Sequence, residues 1–94
     1  ETTTATPNIR YSSTKTLNNM LSTGDAITVT IITTAAAAGY SASWEIDGTG
    51  ITEEWIGGDA PSEGGSDGYD IYTANILKTG NAAFKVFINL VNAT

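Results

Sequence analysis

The sequence predicts a mainly β fold: a small antiparallel β-sandwich or β-sheet module with one short α-helix, over about residues 14–23, packed on it. Three observations carry this reading. Apolar residues alternate with polar ones in several short runs, and a helical spacing occurs in only one place. Among 94 residues there are 16 Thr, 10 Gly, 7 Asn and 7 Ser, which favours strands and turns over helices. Turn-forming residues, Asp47-Gly48 and Thr79-Gly80-Asn81, stand between alternating runs.

Residues 1–12 read as an N-terminal arm or strand, and residues 13–94 as a single β-rich domain. The first six residues are Thr-rich and without period, and 9–12, after Pro7, predict a short strand. Ser13 or Thr14 caps the helix, Leu17, Met20 and Leu21 form its apolar stripe, and Gly24 stops it. So short a helix needs a sheet to lie on. In 26–34, Ile27, Val29 and Ile31 alternate with Thr, which makes the clearest strand. Residues 41–46 and 49–56 predict a first hairpin about Asp47-Gly48, with Trp44 and Ile46 on one face. Residues 57–68 are glycine-rich and acidic and predict a loop. A second hairpin follows, 69–78 with 82–91, turning at 79–81. The predicted core is Leu17, Met20, Leu21, Ile27, Val29, Ile31, Trp44, Ile46, Tyr72, Phe84, Val86 and Ile88.

Composition narrows the function. Without Cys there is no disulfide, thiol nucleophile or thiolate metal site, and without His there is no Ser-His triad or imidazole metal site. A net charge of −6, with only Arg10, Lys15, Lys78 and Lys85 as bases, excludes a nucleic-acid module and disfavours anionic membranes. No apolar run reaches the roughly 18 residues of a spanning helix. The chain opens at Glu1 rather than Met, which reads as processing or as a piece of a longer protein. No enzyme and no cofactor are expected.

Eight of the ten acids fall within residues 45–70, where there is no base. Asp47, Asp67 and Asp70 are the candidate calcium ligands there, since calcium takes carboxylate and carbonyl oxygens. The preferred reading is a solvated acidic face and no metal, because no Asp-x-Asp-x-Asp-Gly loop is present. Glu53-Glu54 does not make a glycosidase pair, since neighbouring strand residues point to opposite faces. Trp44, Trp55 and Tyr69 are the candidates for stacking on a ligand, against a core role for such aromatics. Asn92-Ala93-Thr94 fits the short glycosylation pattern. Phe84 and Leu90 lie on one face of the last strand and Phe87 and Val91 on the other, which predicts burial on both sides. Phe87, Val91 and Ile9 are accordingly the expected oligomer contact, because the chain before Ser13 is too short to complete a sheet and leaves an unpaired edge.

Three stretches carry a resemblance. Residues 13–30 (Ser13-Thr14-Lys15-Thr16-Leu17-Asn18-Asn19-Met20-Leu21-Ser22-Thr23-Gly24, then Ile27-Thr28-Val29) form the first. Ile46-Asp47-Gly48, followed by Trp55-Ile56-Gly57-Gly58-Asp59-Ala60-Pro61, is the second. Asp70-Ile71-Tyr72-Thr73, leading to Lys78-Thr79-Gly80-Asn81-Ala82-Ala83-Phe84-Lys85-Val86, is the third. Together they resemble structural proteins of tailed bacteriophages, especially the C-terminal β-rich modules of tail fibres and appendages in phages of marine bacteria. Glu53 and Glu54 depart from that pattern, and family members have a longer strand region before the helix. The resemblance implies a non-enzymatic virion protein on the particle surface, a tail-fibre or receptor-binding domain. Its implied partners are copies of itself as a trimer, other virion proteins and a host surface glycan or receptor. A capsid decoration protein is the alternative within the particle. A secreted carbohydrate-binding β-module is the alternative outside it.

Overall fold

The structure, a computed structural model, describes residues 4–94. The first three residues of the expected N-terminal arm lie outside the described residues. The mainly β reading holds: two sheets pack together, with one short helix beside them.

The larger sheet grows from two long strands, β6 (Tyr69–Gly80) and β7 (Ala83–Ala93), paired antiparallel. On one face Tyr72, Ala74 and Ile76 stand beside Leu90, Ile88 and Val86. Tyr72, Ala74, Ile76, Val86 and Ile88 are each at most 1% exposed, so this face is the floor of the core. Strand β2 (Ala26–Thr34) extends the sheet on the β6 side, with Ile27, Val29 and Ile31 opposite Ile76, Ala74 and Tyr72. The period-2 pattern of each strand therefore points to one shared face.

The smaller sheet covers that floor. It has the order β1-β3-β4, from β1 (Asn8–Ile9), β3 (Glu45–Ile46) and β4 (Thr49–Gly50). Asp47 and Gly48 join β3 to β4 with φ of 53° and 81°, both left-handed as a type I′ turn requires. The expected hairpin ends there. Its second arm does not continue to residue 56; it leaves the small sheet, and β5 (Glu53–Trp55) pairs parallel with β7 at Val86–Ile88. The larger sheet thus runs β2-β6-β7-β5, and β1 and β3 also pair in parallel. Both sheets are mixed rather than purely antiparallel, because these two connections swap sheets instead of turning back. β1 likewise makes the segment before Ser13 part of a sheet.

The helix is shorter than expected: α1 covers only Leu17–Met20. Its ends are satisfied from elsewhere in the fold. The N–H groups of Leu17 and Asn18 donate to the two carboxyl oxygens of Asp47 at 2.7 and 3.0 Å, and Asn19 N–H donates to Thr16 Oγ1. At the far end Lys78 Nζ donates to the carbonyls of Asn18 (2.7 Å) and Leu21 (2.9 Å). Tertiary contacts, not propensity, hold this turn of helix.

Leu17 and Leu21 from this segment, with Trp44 and Ile46 from the small sheet, complete the buried cluster over the floor. Trp44 meets Tyr72 edge to face at 6.0 Å between ring centroids. Its Nε1–H donates to the Ser41 carbonyl, and Ser41 N–H donates to the Tyr72 hydroxyl at 2.8 Å. Met20, Ile27, Val29, Ile31 and Phe84, expected in the core, are half-buried at its margin.

The second hairpin turns one residue later than expected. Gly80 pairs with Ala83, the register shifts between Lys78 and Gly80, and Ala82 takes the left-handed position at φ 53°. Ala82 N–H donates to Asn18 Oδ1 at 2.7 Å, tying the turn to α1. A side chain at such a φ costs about 1–2 kcal/mol, partly offset by its lower unfolded-state entropy. Ala82→Gly is therefore expected to raise stability by about 0.5–1 kcal/mol in chemical denaturation.

Candidate functional site

The acidic, glycine-rich loop leading into β6 is docked, not solvated. Asp70 is fully buried, since it shares the inward face of β6 with Tyr72, Ala74 and Ile76. Its carboxyl group accepts from Gly65 N–H at 3.1 and 3.0 Å and from Asn92 Nδ2 at 3.1 Å. Asn92 Nδ2 also donates to the carbonyls of Asp67 and Tyr69, so this side chain closes the loop onto the end of β7. Gly64 N–H donates to the Ala37 carbonyl and Ala35 N–H to the Gly68 carbonyl, which fastens the loop to the segment after β2. Asn92 fits the glycosylation pattern but is committed to these bonds.

The calcium candidates are not brought together. Asp47 caps α1, Asp70 holds the loop, and Asp67 Oδ1 accepts from Gly68 N–H at 2.8 Å. Among the described residues no three acids converge as a metal site would need. Millimolar calcium is therefore expected to leave the melting temperature unchanged. A site saturated 100-fold over its dissociation constant would add about 2.7 kcal/mol, a rise easily seen by calorimetry.

The stacking candidates are dispersed as well. Trp44 is 1% exposed and offers no open ring face, because it fills the core between the sheets. Trp55 sits half-buried at the register position of Ile88, on the inner side, whereas Tyr69 is exposed at the outer end of β6. Glu53 Oε1 accepts from Trp44 N–H at 3.3 Å, while Glu54 lies on the opposite, exposed face.

Of the contact candidates, Ile9 packs half-buried against the core from β1, away from Phe87 and Val91 on the large sheet. Phe87 and Val91 do lie together on the outer face of the large sheet, 38% and 49% exposed. Within the single chain this face is open, and only a contact with another chain would bury it. The register lays out that face. Thr28, Asn75, Phe87 and Glu54 form one row, Ile32, Ile71 and Val91 another, and Thr34, Tyr69 and Ala93 the last. Ile32 at 63% and Tyr69 at 55% are among the most exposed large side chains. Lys85 and Glu54 are the only charged residues at its strand positions, in a chain of net charge −6. No acid other than Glu54 stands at these strand positions.

A shallow groove of about 370 Å³ lies between the two hairpin turns, bounded by Ile46, Asp47, Ile51, Ala82 and Phe84. Its one carboxyl group, that of Asp47, is already taken up by α1. The groove gathers no convergent polar groups to orient a ligand. The structural roles of four residues that shape these surfaces were not read from the sequence: Asp70 as a buried anchor, Asn92 and Gly65 as its partners, and Lys78 as a cap of α1. The signal for two of them was present, since Asp70 and Lys78 share the parity of Tyr72, Ala74 and Ile76. Compared with protein families, curated proteins and solved structures, the chain matches none.

Proposed function

We propose that the chain is a non-enzymatic structural module of a bacteriophage particle, a tail-fibre or receptor-binding appendage domain that assembles with copies of itself as a trimer. The observation that carries this reading is the outer sheet face, where apolar and uncharged rows stand open on an otherwise acidic chain. Such a face can meet a like face without charge repulsion, and its apolar side chains gain by burial. The resemblance of residues 13–88 to phage structural proteins gives the setting. The carbohydrate-binding alternative is weakened because Trp44 is buried, and Trp55 and Tyr69 face opposite sides of the sheet.

Purified particles whose genome encodes the chain, labelled with an antibody raised against it and imaged by negative-stain electron microscopy, test the reading. Label along the tail fibres is expected. Label over the head would transfer the module to the capsid as a decoration protein. Particles without label would overturn the virion assignment.

A further inference from the structure

The two edges of the large sheet are unlike. At one edge stands β5, only three residues long and carrying Glu53 and Glu54. A short, charged edge resists pairing with another chain. At the other stands β2, nine residues in unbroken register with β6, without a charged residue, a proline or a bulge. Along residues 26–32 no strand among the described residues pairs with its outer side. A long, flat, uncharged edge of this kind is a template for main-chain pairing.

Burial points the same way. Across the inner face, Tyr72, Ala74 and Ile76 of β6 are at most 1% exposed, yet Ile27, Val29 and Ile31 beside them in β2 are only half-buried. The small sheet covers the centre of the larger one and stops short of this rim. What completes the rim must be apolar on the inner side and uncharged on the outer.

We propose that β2 pairs antiparallel with β2 of a second copy, joining two large sheets into one continuous sheet about a two-fold axis at Val29. The strand is complementary to itself in that register. Ile27 then faces Ile31 of the second copy and Val29 faces its own counterpart, all on the inner side. Thr28 faces Thr30 on the outer side. β-branched pairs and threonine pairs of this sort stabilise adjacent antiparallel strands. The strand carries no charge, so two copies of an acidic chain meet here without repulsion at the seam. This contact uses the edge of the sheet and is separate from its outer face. It requires a second copy but not the phage setting.

Cysteine mapping tests it, because the chain has no cysteine of its own. Val29→Cys is expected to form an interchain disulfide under mild oxidation, since directly opposed antiparallel residues lie about 4.5–5.5 Å apart, within disulfide range. Thr73→Cys, one strand in from the edge, is expected to form none once Phe87→Lys has removed the contacts of the outer face. Thr30→Lys places a charge at an exposed position of the seam and is expected to weaken self-association about tenfold or more with an unchanged circular dichroism spectrum. Phe87→Lys on the outer face, combined with Val29→Cys, is expected to leave the interchain cross-link intact even where it disrupts contacts of that face. Absence of the disulfide in folded Val29→Cys protein would overturn the proposal. So would cross-linking of Thr73→Cys protein to the same extent in the Phe87→Lys background, or association indifferent to Thr30→Lys.

Discussion

Trp44→Ala is expected to destabilise the fold by about 3–5 kcal/mol, the usual cost of removing a large aromatic from a packed core. Trp44 is the largest of the side chains that are less than 2% exposed, and it joins the small sheet to the large one through Tyr72. Its removal takes away the edge-to-face contact and the Nε1–H bond to the Ser41 carbonyl, and it opens a cavity between the sheets. Domains of this size have only about 5–15 kcal/mol in total. The melting temperature should therefore fall by at least about 12 °C. Trp44→Phe, which keeps an aromatic ring against Tyr72 but loses the indole donor and part of the buried ring volume, should fall short of that. A loss of only a few degrees for Trp44→Ala would mean that the two sheets do not depend on this contact.

Gly65→Ala is the second large effect, expected to cost about 2–4 kcal/mol by overpacking and lost hydrogen bonds. A methyl group there would collide with the amide of Asn92 and stand 2.7 Å from Asp70 Oδ1. Asn92 has no easy retreat, because its Nδ2 already donates to Asp67, Tyr69 and Asp70. Moving it would strip the buried Asp70 carboxyl of one donor, and the same collision would disturb the Gly65 N–H that supplies the other. The matched control is Gly50→Ala, where nothing lies within 4 Å and φ is not left-handed. That change is expected to stay within about 0.5 kcal/mol, as surface substitutions usually do. Urea unfolding of the two variants side by side measures the contrast. Equal stabilities would show that the loop is not docked.

The strands β2, β6 and β7 and the Asp47-Gly48 turn were legible in the sequence, because alternation and turn chemistry are local and act over a few residues. The exit of β5 to the other sheet was not. Whether Thr49–Gly50 continues as one arm or hands over to a new strand depends on which sheet covers Trp44, a choice made by packing. The length of α1 was hidden for a related reason, since its caps come from Asp47 and Lys78, far along the chain. The loop before β6 was read as solvated because glycine and acid together describe most surface loops. Strand parity nevertheless put Asp70 on the inward face, and the pair Gly64-Gly65 allowed the close approach that buries it. The outer sheet face was legible in part. Phe87 and Val91 share it as alternation required, whereas Ile9 packs half-buried at the margin of the core once β1 pairs with β3.

Sedimentation equilibrium of the purified chain at micromolar concentration tests most directly the claim that this protein works by association through its large sheet. The single chain has a mass of 9.8 kDa. An assembled mass at a whole multiple of that value is predicted, falling when Thr30→Lys alters the β2 edge or Phe87→Lys alters the outer face. A stable, folded 9.8 kDa species across the whole concentration range, with both variants indistinguishable from it, would contradict the account.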